Sequence, residues 1–163
     1  MKTRRSAGIL YISDGKLLLL KRSRTVRNSR KWGLPGGRRD AGESAWRTAQ
    51  RESHEEMGGA PLAQILGELV IDRPGKRYRV FVCRAARSAV EGFGPVLNEE
   101  HTRARWVDLD WCLANTHKLH PVLASALSAQ ACRDELARVL STGKGLRSRR
   151  ASVQDVQVRT RAA

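Results

Sequence analysis

Apolar residues come in short blocks at the start of the chain. Ala7–Ile12 is a nearly unbroken apolar run; it stops at Ser13-Asp14-Gly15, and Leu17–Leu20 resumes it within Lys16–Arg22. Short apolar runs bounded by turn residues predict buried strands, and Asp-Gly between two of them predicts a two-residue hairpin. Ser23–Lys31 is polar and basic and predicts a loop. Trp32–Leu34 predicts a short extended piece, stopped by Pro35-Gly36-Gly37.

From Ser44 the period changes. Ala45, Ala49 and Ser53 recur at four-residue spacing, while Arg51, Glu52, Glu55 and Glu56 occupy another side. This predicts a helix over Ser44–Met57 with one face small enough to lie close to a sheet. Ser44 is the candidate N-cap, Glu43 precedes the positive end of the helix, and Gly58-Gly59 followed by Pro61 ends it. Strands are predicted at Ile65–Asp72 and Lys76–Arg84, joined around Pro74-Gly75, and at Arg103–Leu109, where Trp106 is expected in the core. Asp110 is expected to cap a helical turn over Trp111–Ala114, and Pro121 to open a last helix running to about Leu140. Beyond Gly143 the chain is basic and Ser-rich, with Val153, Val156 and Val158 its sizeable apolar residues. The expected organisation is one domain over 1–143 and a basic tail over 144–163, mobile or loosely packed.

Composition adds little to this except through charge. The hydrophobic fraction of 40% belongs to a folded chain, not a disordered one. The net charge of +15 divides into +9 over residues 1–31, +5 over 144–163 and +1 between them. A basic N-terminal segment attracts polyphosphates, although arginine and lysine also serve simply to solvate a surface. Cys83, Cys112 and Cys132 show no zinc spacing and fit a reducing compartment. His117 and His120 form an isolated HxxH that reads as loop and helix-start residues. The apolar run after Met1–Arg5 is cut short at Ser13 without a small-residue cleavage site, and no run is long enough to span a membrane. A cytoplasmic protein, monomeric or homodimeric, is expected.

The chemistry concentrates between Gly37 and Gly58. An α-helix advances about 100° per residue, so Glu52 and Glu56 lie about 40° apart, with Glu55 about 60° to the other side of Glu52. Three carboxylates on one stripe repel each other, and a solvated acidic face is the ordinary explanation. The Pro35-Gly36-Gly37 loop before the helix weakens that explanation, because glycines let the backbone approach a metal or phosphate closely. Mg²⁺ prefers oxygen ligands and would relieve the repulsion.

The stretch resembles the Nudix box, G-x5-E-x7-R-E-U-x-E-E-x-G-U, where U is a bulky aliphatic residue. Gly37, Glu43, Arg51, Glu52, Glu55, Glu56 and Gly58 stand at the fixed places, while Ser53 and Gly59 depart from the two U positions. Leu17–Arg22, Trp32–Gly37 and Arg105-Trp106-Val107 resemble the flanks, so the likeness covers about residues 7–140. The resemblance implies an α/β/α sandwich around a mixed β-sheet and a hydrolase that cleaves phosphoanhydride bonds in nucleotide-type substrates. It implies that Glu52, Glu55 and Glu56, with the Gly36 carbonyl, hold Mg²⁺ or Mn²⁺, that Arg51 pairs with Glu43, and that a metal-activated water attacks phosphorus. The general base varies within the family; Asn98-Glu99-Glu100-His101 offers Glu100, ahead of Glu99. Arg22, Trp32 and Gly37 are candidate substrate contacts.

The substrate is left open. Leu18–Ser23 with Arg27 partly resembles the upstream signature of coenzyme A pyrophosphatases, and Pro74, 15 residues past Gly59, stands as in some ADP-ribose pyrophosphatases but also has an ordinary turn reading. A small single domain with a Trp before the Pro-Gly-Gly loop is compatible with a nucleoside triphosphate or a dinucleoside polyphosphate. The competing class is a non-catalytic Nudix-fold module that grips a nucleotide or RNA through its basic ends.

Overall fold

The computed structural model describes residues 2–147, 149–150 and 156–160. Its elements are β1 (Arg4–Ser13), β2 (Lys16–Arg22), β3 (Trp32–Gly33), β4 (Gly36–Arg38), α1 (Ala45–Met57), β5 (Ala63–Arg73), β6 (Lys76–Ala85), α2 (Arg87–Glu91), β7 (His101–Asp108), α3 (Leu109–Ala114), α4 (Pro121–Ser128), α5 (Gln130–Thr142), β8 (Arg149–Arg150) and β9 (Val156–Thr160).

The strands form one mixed sheet in the order β3-β2-β1-β6-β5-β9-β8, with β4 also beside β1 and β7 beside β2. β1 and β6 run parallel, and the other pairs are antiparallel. The β1–β2 turn is the expected hairpin: Asp14 and Gly15 both take positive φ, 48° and 72°, which matches the twist of the flanking strands. β1 pairs with β2 only at Ile12 and Ser13, and at its other end it pairs with β4 over Ser6–Gly8. The sheet therefore opens between β1 and β2, and the Leu34–Gly37 segment enters that opening, where Ile9 N–H donates to the Pro35 carbonyl at 3.0 Å.

Alternation along the strands builds two cores. On one face Leu10, Ile12, Leu17, Leu19, Val80 and Val82 pack with Cys112, Leu123, Leu127 and Leu136 from α3, α4 and α5. On the other, Ala7, Ile9, Tyr11, Leu18, Leu20 and Phe81 pack with Ala45, Ala49 and Met57 of α1. Helices thus cover both faces, giving the expected α/β/α sandwich. Trp106 is half-buried against the second core. Ser53, where the box has a bulky aliphatic residue, is fully buried and accepts a hydrogen bond from the Tyr11 hydroxyl at 3.2 Å, so this departure is matched by a polar partner on β1.

The structure revises several expected boundaries. Leu109 opens α3 rather than ending a strand, and Asp108, not Asp110, stands at its N-cap, without a side-chain cap bond. The last helix is two helices, because Ala129 takes an extended conformation (φ −86°, ψ 119°) between α4 and α5. α2 and β4 have no counterpart in the hydropathy pattern. In the basic tail, Leu146 is buried at 3% exposure, and β9 pairs with β5 over Gly67–Ile71. Val153 lies outside the described residues.

Candidate active site

α1 starts where the sequence places it. Ser44 accepts a hydrogen bond from Arg47 N–H at 3.2 Å, and Gly58, with φ 69°, closes the helix in the left-handed conformation. The loop before it is tied down by Arg51. Its Nε donates to Glu43 Oε1 at 3.0 Å, and its two terminal nitrogens reach the Arg38 carbonyl (3.1 Å), Glu52 (3.0 Å) and Glu55 (3.2 Å). Thr48 also donates to Glu43, at 2.8 Å. The Arg51 guanidinium, then the Thr48 hydroxyl, hold the Glu43 carboxyl down at about 2, so it stays ionised as the anchor of the loop. The Arg51–Glu43 pair expected from the resemblance is present.

Glu56 is buried, and Gly36 N–H donates to its Oε2 at 2.9 Å. Burial pushes its pKa up to about 8; the Gly36 hydrogen bond opposes this, and the nearby Glu52 and Glu100 reinforce it. Glu52 is also raised, chiefly by burial, with Arg51 pulling it down and Glu55 and Glu100 pushing it up. Glu52, Glu56 and Glu100 line one cleft of about 570 Å³, Glu100 with its backbone N–H on Asn98 Oδ1 at 3.1 Å. Glu55 stands outside that lining, its side chain 55% exposed and bound to Arg51. Gly37 lies against the Glu52 carboxylate, and a Cβ there would overlap it. Gly36 meets the site through its N–H and has no room for a side chain beneath the Tyr78 hydroxyl.

The same cleft is rich in cations. Arg4, Arg22, Arg27 and Arg38 line it, with Arg73, Lys76 and Arg77 from the β5–β6 turn. Arg22 donates to the Arg27 carbonyl at 2.8 Å, which sets the base of the loop that follows β2. Trp32 belongs elsewhere. It is 7% exposed, packed in the core, edge-on to Trp111 at 6.2 Å, and is not part of the cleft lining. Three residues of the cleft escaped the sequence reading. His101 is buried and His120 half-buried, and desolvation followed by the charge of Arg22 holds both imidazoles down at about 4. Tyr78 reaches the cleft between Gly8 and Gly36, its hydroxyl in the space a Cβ on either glycine would need. The alternation of β6 puts Tyr78 on this face, but no pattern in the sequence shows that β6 runs beside the glycine loop.

The donor chemistry fits a divalent cation. The carboxylates of Glu52 and Glu56 are desolvated and repel one another, and all candidate ligands are oxygen. Among the described residues no three His, Cys, Asp or Glu side chains are gathered into a ready metal cage. Arg51 instead acts as counter-ion to Glu43, Glu52 and Glu55.

The chain belongs to the NUDIX domain family, whose pattern matches residues 2–128. Members of this family cleave pyrophosphate bonds in nucleoside diphosphate derivatives. The fold is shared with a MutT protein from Methanosarcina mazei Go1, at 26% identity and TM-score 0.62, covering 84% of this chain and 94% of that one. A MutT NUDIX hydrolase from Burkholderia pseudomallei aligns at 29% identity and TM-score 0.50, over 68% of this chain and 86% of the other. A C. elegans Ap4A hydrolase shares the fold at 20% identity and TM-score 0.60, over 86% and 97%. No curated protein matches the chain in sequence.

Proposed function

We propose that this protein is a divalent-metal-dependent pyrophosphohydrolase that cleaves a phosphoanhydride bond in a nucleoside-diphosphate-linked substrate. The observation that carries the reading is the make-up of one cleft. Buried Glu56 lines it together with Glu52 and Glu100, whose charges act on it, and the same cleft is lined by six arginines and a lysine, with Arg22 close enough to act on Glu56 as well. Glu52 and Glu56, joined by Glu55 and the Gly36 carbonyl, would hold Mg²⁺ or Mn²⁺. When bound, such an ion supplies charge neutralisation and an activated water at phosphorus. Arg51 and Glu43 keep the loop and helix in register. Glu100 faces the carboxylate pair and is placed to accept a proton. Arg22 and Arg27 neutralise the phosphate chain, and Gly37 lets the chain pass close to the backbone.

The cleft volume suits a nucleotide, and the number of cations favours several phosphates, as in a nucleoside triphosphate or dinucleoside polyphosphate. A module that only bound RNA or nucleotide would gain nothing from desolvated, mutually repelling carboxylates at the centre of its anion site. Three buried, unpaired thiols at Cys83, Cys112 and Cys132 suit a cytoplasmic location. No helix among the described residues is long and apolar enough to cross a membrane.

The test is hydrolysis with and without Mg²⁺ or Mn²⁺ over nucleoside triphosphates, dinucleoside polyphosphates, ADP-ribose, NADH and coenzyme A, with products identified. Metal-dependent release of a nucleoside monophosphate or pyrophosphate from at least one of them is expected, and EDTA abolishes it. Full activity in EDTA, or no turnover of any substrate with either metal, overturns the reading.

A further inference from the structure

A second, smaller cavity of about 160 Å³ lies on the sheet face that carries α1, beyond the first turn of that helix. Strand alternation brings Arg5 of β1 and Arg77 and Arg79 of β6 to this face. Arg39 joins them from the loop after β4, and Arg159 from β9, with Val70 and Ala45 as apolar lining. Two carboxylates answer these five guanidiniums. Glu68 takes Arg79 at 2.6 Å and Arg159 at 3.6 Å, and Asp72 takes Arg77 at 2.5 Å. Arg39 donates to the Glu43 carbonyl, a neutral acceptor. Among the described residues no side-chain hydrogen bond or ion pair engages the Arg5 guanidinium. Clustered guanidiniums with planar donor forks match the oxygens of a tetrahedral oxyanion, which also relieves their mutual repulsion.

We propose that this cavity binds a phosphate group. Its size admits phosphate or pyrophosphate and not a nucleoside. Ser6 and Arg77 line both this cavity and the larger cleft, so the two meet at the rim of the sheet. The group therefore comes either from a free anion such as a reaction product, or from the far phosphate of a long substrate lying in the cleft. The connection to turnover rests on the hydrolase reading, whereas anion binding itself does not.

The deciding experiment is calorimetric titration of the full chain with inorganic pyrophosphate in EDTA, which leaves metal chemistry aside. The wild-type protein is expected to bind pyrophosphate. Arg5→Gln weakens binding by about tenfold, the scale of one charge-assisted hydrogen bond, while Lys118→Gln, at an exposed lysine outside both linings, leaves it in place. Equal melting temperatures would show that Arg5→Gln is folded. Arg5→Lys recovers only part of the affinity, because it keeps the charge and loses the fork. The proposal is overturned if the wild type binds no pyrophosphate at millimolar concentration, if Arg5→Gln weakens binding no more than Lys118→Gln does, or if Arg5→Lys binds as wild type, the mark of a diffuse field. In turnover assays Arg5→Gln separates the two sources. Relief of pyrophosphate inhibition at constant KM marks a free anion, and a raised KM confined to dinucleoside polyphosphates marks the far phosphate of substrate. If no substrate is turned over, the hydrolase reading fails and the titration still decides the cavity.

Discussion

Glu56 is asked to be two things at once. Folding places its carboxyl where burial favours the protonated form, while a cation ligand has to be ionised. Its folded pKa, about 8, lies above the ordinary carboxylate value, so the metal-free protein loses stability as pH rises from about 4.5 towards 8. Glu56→Gln keeps an oxygen to accept the Gly36 N–H and removes that loss. In EDTA at pH 8 the variant is expected to melt no lower than wild type, and with Mg²⁺ its kcat falls by at least ~100-fold, the scale seen when a key electrostatic group is lost. Wild-type turnover by this variant, or by Glu52→Gln, would sink the carboxylate assignment. Glu55→Gln probes whether Arg51 releases Glu55 during turnover; a loss like that of Glu56→Gln is expected if it does. Tyr78 has a different task. Its hydroxyl makes no hydrogen bond among the described residues and faces the cleft beside Gly36. Tyr78→Phe is expected to lower kcat/KM by about tenfold with an unchanged melting temperature, since one hydrogen bond to substrate oxygen is lost and packing is kept. Unchanged kinetics would restrict Tyr78 to a packing role.

Among the elements, α4 links the cleft to acid stability. His120 Nδ1 accepts the Val122 N–H at 3.2 Å, so the imidazole caps α4, and its Nε2 faces the Asn28 amide at 3.2 Å. Arg22, Arg73 and His101 add positive charge around it. A proton on Nδ1 would break the cap. Because its folded pKa, about 4, lies below the ordinary 6.5, the unfolded chain binds the proton first, and stability falls as pH drops from about 6.5 to 4. His101, shifted the same way by burial, adds to the slope. His120→Asn keeps a cap without titrating, and its melting temperature should fall less steeply across that window; an identical slope would remove His120 from the account. The sequence was informative wherever an element carries its own punctuation. α1 could be read because Ser44 caps it and Gly58 ends it, and the first hairpin because Asp14-Gly15 needs positive φ. The break at Ala129 carries no Gly or Pro, and β4 forms only because β1 is left unpaired beside it, so neither leaves a local signal. The acidic stripe and its Arg51–Glu43 brace followed from spacing and resemblance. Tyr78, His101 and His120 join them only through long-range contacts: β6 pairs with β1, β7 pairs with β2, and His120 at the start of α4 packs on Trp32-Gly33. A Trp before a glycine loop looks the same in sequence whether it faces ligand or packs, and Trp32 packs here against Trp111.

Charge and chain end meet at the scale of the whole molecule. Arg4, Arg22 and Arg27, from the basic N-terminal segment, line the cleft, which turns part of that segment's +9 into a local field at the carboxylates. Such a field raises association rates with polyphosphates and weakens as salt screens it. The C-terminal segment contributes differently. Leu146 is buried against the first core, its backbone N–H donating to the Leu66 carbonyl at 2.9 Å, and Gly67 has no room for a side chain beside it. Buried Glu135 accepts from Arg138 Nη2 and from Arg147 N–H, both at 2.6 Å. Burial opposes ionisation of its carboxyl, but the two arginines and this N–H hold it down at about 2, so it is charged at neutral pH and depends on Arg147. β9 then covers the edge of β5 with five register pairs. Ending the chain after Gly143 removes the Leu146 side chain from the core, strips Glu135 of one partner and exposes a sheet edge. The expected cost is that of a large-to-small core change, about 2–5 kcal/mol, or roughly 5–15 °C in melting temperature for a domain of this size. Ending it after Arg147 keeps Leu146 and the Glu135 contact and loses only β8 and β9. That variant should melt within a few degrees of the full chain, yet aggregate more readily through the uncovered β5 edge. Turnover per folded molecule is expected to be the same for both truncations at high salt, because among the described residues none beyond Leu123 lines the cleft. Equal melting of the Gly143 truncation and the full chain would show that residues past Gly143 are a surface addition, and a persistent loss of turnover at high salt would show that they supply a contact to substrate.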